Sequence, residues 1–200
     1  FGNVGSFASK FAFERGARIV AVSDVTGGIF NGDGLNIPEL MEYVKQNKGV
    51  KGFPKSQPIS NEQLLEVDCD ALLPCALEGQ IDTHNAEKIK AKLIVEGANG
   101  PVTNAATKIL ERRGIFIAPD VIANGGGVIV SYFEWVQDIM SFFWDEADVD
   151  AKLKGIILKA FDNVYKFKQE KSIDMRTAAM AASISRLEKA MLLQLLVAPL

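Results

Sequence analysis

Histidine and cysteine are scarce in this sequence: one histidine, His84, and two cysteines, Cys69 and Cys75. So few soft ligands, with no partners at metal-binding spacing, argue against a zinc site, and two thiols six positions apart make no disulfide framework. No metal is expected. An excess of positive charge is missing too. With 22 Lys and Arg against 25 Asp and Glu, and no basic block or stripe, nucleic acid is not an expected partner. No apolar run approaches the ~18–20 residues that a membrane span requires. Lys10, Glu14 and Arg15 interrupt the opening stretch, so a signal peptide is not expected either. A reducing cytoplasm is the expected location.

What is present begins with FGNVG, Phe1 to Gly5. Two glycines spaced G-x-x-G and followed by SFASKFAFERG read as a tight turn entering a helix. Such turns normally follow a buried strand, and here neither a strand nor an initiator Met precedes Phe1. A full dinucleotide fingerprint is G-x-G-x-x-G between strand and helix. Its glycines allow a tight turn and close approach of backbone to a pyrophosphate, which the helix N-terminus then attracts. Gly2 and Gly5 would be its second and third glycines. Taken alone, the half-motif reads equally well as a plain glycine turn.

Asp24 shifts the balance. It ends the apolar run ARIVAVSD, 19 residues after Gly5, where the acidic ribose ligand of dinucleotide-binding folds is expected. A carboxylate there can accept from the adenosine ribose hydroxyls. It also opposes a 2′-phosphate, since two like charges ~4 Å apart repel by about 4 kcal/mol at an effective dielectric near 20. No Lys or Arg follows Asp24 until Lys45 to offset that repulsion. The alternative is an aspartate that simply caps a turn. The spacing favours NAD, with NADP possible.

Short apolar runs alternate with helical stretches through the first two-thirds of the chain. ARIVAVSD, DALLP, KLIVEG and GIFIAPD are apolar on both faces, as strands of a covered parallel sheet are. Ser60 with Gln63 forms a capping box, and Thr103 precedes the helical NAATKILERR. The expected fold is α/β: a Rossmann-like, doubly wound and mostly parallel sheet, its first strand missing, with right-handed crossovers. Residues 1–123 form this body. Residues 124–200 are expected to be helical, with one amphipathic helix running through Val149, Leu153, Ile156, Ala160, Val164 and Phe167 and a second beginning after Asp174.

Three loops rich in small residues and amides fall at the strand ends where open sheets bind ligands: LPCALEGQ with Cys75, VEGANGPVT with Asn99, and PDVIANGGGV with Asn124. The amide of Asn99 both donates and accepts, which suits a ribose or carboxamide, although a single turn asparagine needs no ligand to explain it. Ser131 lies in the early turns of the helix after NGGG, where its hydroxyl could meet a substrate carboxylate; a lone serine there also reads as an ordinary helix residue. Tyr132, Phe133 and Trp135 read as core, His84 as surface and Cys69 as core. Cys75 falls in an edge loop but has no visible general base.

The strings GNVG, AVSDVTGGIFNGDGLNI, LEVDCDALLPCALEGQI, IKAKLIVEGANGPVTNA, PDVIANGGGVIVSYFEWVQ and DMRTAA resemble the cofactor-binding half of glutamate dehydrogenases, from Phe1 to about Met191. EGANGP and SYFEW are the most specific of them. The resemblance implies oxidative deamination of L-glutamate to 2-oxoglutarate and ammonia, with hydride passing to a nicotinamide cofactor. It implies that Gly2, Asn3 and Val4 match the pyrophosphate loop, Asp24 the adenosine-ribose position, and Cys75 and Ala76 the loop beside the cofactor. Asn99 and Asn124 match the nicotinamide end, and Ser131 the serine that holds the substrate's side-chain carboxylate.

FGNVG is then the remainder of a GFGNVG loop. The family's catalytic lysine and aspartate lie in an upstream substrate domain, so no residue of this chain takes their roles and the fragment alone is expected to be inactive. Members assemble mainly as homohexamers. Two features depart from the family: Gly125 stands where alanine is usual, and LLQLLVAPL replaces a polar finish, its leucines favouring association if exposed. A reading from another class is a non-catalytic NAD-binding module or regulatory fragment.

Overall fold

A computed structural model describes residues 1–197, with side chains as far as Leu193; part of the LLQLLVAPL tail therefore lies outside the described residues. Two compact units are present, Phe1–Ile117 and the chain from Ala118 on. The fold is mixed α/β, with a parallel sheet and helices.

The first unit opens with α1 (Asn3–Glu14) and then a hairpin of β1 (Ala21–Asp24) and β2 (Gly27–Phe30). Asp24 pairs with Gly27, which leaves Val25 and Thr26 as the turn. Gly27 sits at φ +138°, a backbone state that a side chain would strain. Helix α2 (Ile37–Asn47) starts where Asn36 accepts from the Glu39 N–H, and it ends at Lys48 in the left-handed region. β3 (Gln57–Ile59) returns antiparallel to β2. Gly28 permits this pairing, since a Cβ there would lie 2.8 Å from the Ile59 carbonyl oxygen. Val22, Ile29, Ile37, Leu40 and Val50 bury their side chains between hairpin and helix.

The second sheet of this unit is parallel, in the order β4 (Ala71–Leu72), β5 (Leu93–Val95), β6 (Phe116–Ala118). Ser60 and Gln63 do form a reciprocal capping box at α3 (Asn61–Leu65), and Thr103 caps α4 (Asn104–Arg112). Ile81, Ile89, Ile94, Ala106 and Leu110 make the dry centre. The Arg113 guanidinium stitches its edge by donating to the carbonyls of Ala86 and Ile89.

One expectation needs correction. ARIVAVSD reads as a strand of the parallel sheet, yet only its last four residues are strand, and they pair antiparallel with β2. The cause is local. The Asp24 carboxylate takes the N–H and hydroxyl of Thr26, closing a turn that hands the chain straight back along β1. Hydrophobic periodicity reports burial and not strand direction.

The second unit holds α5 (Asp120–Ala123), α6 (Gly126–Met140), α7 (Glu146–Lys171) and α8 (Met175–Val197), with no strand beyond Ala118 among the described residues. α7 packs against both α6 and α8. Its inner edge passes through Val149, Leu153, Ile157, Phe161 and Val164, while Ile156 and Ala160, expected on that stripe, are exposed. Of the three aromatics expected in the core only Phe133 is buried, edge-on to Trp144 at 5.6 Å. Tyr132 and Trp135 fall on the outer face because the helical repeat places them beside, not above, Phe133.

α8 begins as expected after Asp174, whose carboxylate accepts from the Thr177 N–H at 2.7 Å and the Thr177 hydroxyl at 2.6 Å. Burial pushes this carboxyl up, but hydrogen bonds from Thr177 and from the backbone of Asp174 and Arg176 together outweigh it and hold the group below its ordinary value. A depressed carboxylate stabilises above its unfolded pKa, near ~3.9, and that contribution disappears as pH falls through the lowered folded value. Thr177→Ala should therefore shrink the acid-side loss of stability, followed by circular dichroism from pH 5 down to pH 2. An unchanged acid limb would mean that the Thr177 hydroxyl contributes nothing. Ile94→Ala, in the central parallel strand, should cost about 2–5 kcal/mol in urea unfolding. Leu187→Ala, on an exposed face, should stay within ~0.5 kcal/mol.

Candidate functional site

Three loops of the first unit meet at the start of α1. Gly2 caps the helix with extended backbone and no side-chain cap, and Ser6 N–H returns to its carbonyl at 2.9 Å. Asn3, Val4 and Gly5 thus begin a 12-residue helix whose first turn carries no acidic side chain. No side chain of that turn neutralises the partial positive charge of the unpaired N–H groups. A Cβ built on Gly2 would meet no atom within 4 Å, so the turn faces open space.

The Phe1 nitrogen donates to the Ser23 carbonyl, which draws this turn against the end of β1. Asp24 is half-buried and already engaged: Oδ1 accepts the Thr26 N–H at 2.7 Å and the Thr26 hydroxyl at 2.5 Å, and Oδ2 accepts the Val50 N–H at 2.9 Å.

Cys75 wedges the remaining loops together. The Pro74 carbonyl just after β4 accepts the N–H groups of Gly97 and Ala98, at 3.1 and 2.9 Å, from the loop after β5. Gly97 lies so close that a Cβ on it would stand 2.7 Å from the Cys75 sulfur and 3.4 Å from the Val4 side chain. Cys75 in turn sits 3.5 Å from where a Cβ on Gly5 would be. Burial raises the Cys75 thiol pKa, so at neutral pH it is a packed, protonated group and not a nucleophile. Ala76 follows it at the surface, and Asn99 is exposed in the loop that Gly100 closes at φ +54°.

Gly2, Asn3, Val4, Asp24 and Cys75, with Ala76 and Asn99 on the adjoining loops, therefore belong to one group of strand and helix ends. Asn124 and Ser131 belong to the second unit. Asn124 ends α5, its N–H donating to the Asp120 carbonyl at 2.9 Å, and Ser131 is exposed in the second turn of α6. His84 is a surface residue beside Asp82, and Cys69 packs against the core with its thiol pKa raised by burial and by Asp68 and Asp70. No cluster of three metal-binding side chains occurs among the described residues, and no described helix is long and apolar enough to cross a membrane. A shallow polar depression of about 350 Å³ beside Asn31, Asp33 and Lys55 lies at the other end of the hairpin, where Phe30 pairs with Ala21, away from Asp24.

Sequence reasoning missed Gly97, Thr26 and the Asp120–Arg176 ion pair. A lone glycine two residues past a strand is a readable sign of close backbone approach. The ion pair, 2.9 Å long and four-fifths buried on both sides, joins residues 56 apart and leaves no local signal.

Over residues 1–194 the chain matches the family described as Glutamate/Leucine/Phenylalanine/Valine dehydrogenase. It is 53% identical over 187 residues to a glutamate dehydrogenase of Thermotoga maritima, covering 93% of this chain and 45% of that protein. It is 45% identical over 190 residues to an NAD-specific glutamate dehydrogenase of Staphylococcus aureus, covering 95% and 46%. The hetero-hexameric glutamate dehydrogenase of Thermus thermophilus, in its Leu-bound form, superposes with a TM-score of 0.90 at 28% identity, covering 97% of this chain and 46% of that one. For the glutamate dehydrogenase of Peptoniphilus asaccharolyticus the TM-score is 0.82 at 33% identity, with 97% and 45% covered. The chain spans less than half the length of these relatives.

Gly97→Ala should force the Cys75 sulfur or α1 to move, costing about 1–3 kcal/mol in urea unfolding. Cys75→Ala in the same chain removes the clashing sulfur and should restore most of that loss. A double variant no more stable than Gly97→Ala alone would show that the constraint at Gly97 lies elsewhere.

Proposed function

The chain belongs to the glutamate/leucine/phenylalanine/valine dehydrogenase family, and we propose that it is the cofactor-binding half of an NAD-dependent glutamate dehydrogenase. The supporting observation is the convergence of the Gly2 turn, Asp24 and the Cys75–Gly97 loops at one helix N-terminus. The residues fit a dinucleotide. An open glycine turn at a helix start without acidic side chains suits a pyrophosphate, and a carboxylate at the adjoining strand end suits a ribose.

In this reading Gly2, Asn3 and Val4 present backbone N–H groups to the pyrophosphate, and Asp24 accepts from the adenosine ribose. The Cys75–Ala76 loop borders the cofactor. Asn99 and Asn124 orient the nicotinamide end through amides that both donate and accept. Ser131 donates its hydroxyl to the side-chain carboxylate of L-glutamate. The cofactor, when bound, supplies a hydride acceptor for oxidative deamination to 2-oxoglutarate and ammonia. The lysine and aspartate that handle protons at the reacting carbon are assigned to a substrate domain upstream, and none to residues 1–200.

The same proposal makes residues 1–123 a Rossmann-like, doubly wound body and residues 124–200 a helical segment. The complete protein would work in the cytoplasm as a hexamer. NAD is favoured over NADP because no Lys or Arg stands between Asp24 and Lys45.

Titrating the 200-residue chain with NADH and then NADPH, by nicotinamide fluorescence, should show saturable binding that favours NADH. Asp24→Ser should relax that preference by roughly an order of magnitude, about 1.4 kcal/mol. Unaltered selectivity in the variant would remove Asp24 from the ribose site. In the complete protein, turnover with leucine or phenylalanine but not with glutamate would overturn the substrate assignment.

A further inference from the structure

We propose that Thr26 is a positioning residue that sets cofactor selectivity by locking the Asp24 carboxylate in one orientation. The inference rests on the reading of Asp24 as the ribose acceptor. It starts from a count. An ionised carboxylate offers about four lone-pair directions. Oδ1 of Asp24 already accepts two hydrogen bonds, from the Thr26 N–H and the Thr26 hydroxyl, and Oδ2 accepts one, from the Val50 N–H. One direction remains, on Oδ2. Asp24 is thereby an acceptor for a single hydroxyl, not for both ribose hydroxyls at once.

The lock has depth. The Thr26 hydroxyl that donates to Asp24 also accepts the Lys51 N–H at 3.3 Å, which fixes its rotation. Below it Gly49 leaves no spare room: a Cβ there would lie 2.3 Å from the Thr26 methyl and 2.5 Å from its hydroxyl oxygen. The β1–β2 turn and the loop after α2 are therefore closed onto each other through Asp24 and Thr26.

A carboxylate rejects a 2′-phosphate well only if it cannot swing aside. A free aspartate at a strand end can rotate about χ1 at little cost, moving its charge away from an incoming phosphate. Three donors, two of them from one threonine, hold it in place. What an NADPH 2′-phosphate then meets is an acceptor that has no proton to give and cannot retreat. The ribose hydroxyl of NADH meets the same oxygen with its open lone pair already aimed.

The test measures NADH and NADPH affinities of the 200-residue chain, with Thr26→Val, Thr26→Ser, Gly49→Ala and Asp24→Ser. Thr26→Val should weaken NADH several-fold while leaving NADPH unchanged or tighter, so that the ratio of the two falls about ten-fold. Thr26→Ser keeps both donors and should retain the ratio. Gly49→Ala, which displaces the threonine without removing it, should act like Thr26→Val. In an Asp24→Ser background Thr26→Val should have no further effect on the ratio.

A merely structural role predicts the opposite pattern, with both cofactors weakened alike, and that result would sink the proposal. If Asp24→Ser alters selectivity while Thr26→Val does not, the positioning role is wrong and the ribose site stands. If Asp24→Ser alters nothing, the ribose reading is wrong and the positioning role falls with it.

Discussion

The closeness of two loops, with no room for a side chain between them, is the constraint on which the candidate site depends. The Pro74 carbonyl gathers two N–H groups from the neighbouring strand's exit, and Gly97 then touches the Cys75 sulfur with less clearance than any Cβ tolerates. From that point the rest follows. Val4 rests against the same glycine, so the first turn of α1 is set by where the loops after β4 and β5 meet. The Phe1 nitrogen then ties the turn to the end of β1. A half-buried thiol with a raised pKa serves here as a compact apolar spacer, a common use of free cysteine.

Much of this was legible in the residues before any coordinates. The capping box at Ser60 and Gln63, the Thr103 cap and the helix start at Asp174 were each announced by a side chain whose partner lies three residues away, and each partner is where the rule puts it. What was not legible is direction and phase. ARIVAVSD has the composition of a buried parallel strand, but the two-residue turn at Val25 and Thr26 decides its pairing, and composition carries no sign of that. Likewise the sequence pattern puts the apolar stripe of α7 through Ile156 and Ala160, whereas the inner edge passes through Ile157 and Phe161. A single position of phase error rotates a stripe by about 100°, since the helix has 3.6 residues per turn. The Asp120–Arg176 pair was beyond any local reading.

The two candidate anchors for a cofactor differ in kind. The start of α1 offers backbone groups, which any residue with a permissive conformation supplies, and its value lies in the lack of competing acidic side chains in its own first turn. Asp24 offers one side chain whose usefulness depends on its neighbours. Its spacing from the glycine turn was readable from the numbers alone, and its orientation was not. The donors that fix that orientation come from Thr26, two residues on, and from Val50, at the far end of a helix.

That difference decides how far charge alone can account for a preference between the two cofactors. Two like charges ~4 Å apart repel by about 4 kcal/mol at an effective dielectric of 20, yet by only about 1 kcal/mol in bulk water. The first value corresponds to roughly a thousand-fold discrimination and the second to about five-fold, at ~1.4 kcal/mol per factor of ten. A half-buried aspartate at a loop edge lies between these limits, and three donated hydrogen bonds already spread part of its charge into the protein. On the proposed reading of Asp24 as the ribose ligand, its discrimination would come largely from being held where the phosphate would have to sit. On that reading, rigidity at Thr26 and Gly49 would keep the charge at the short distance from which both limits are reckoned.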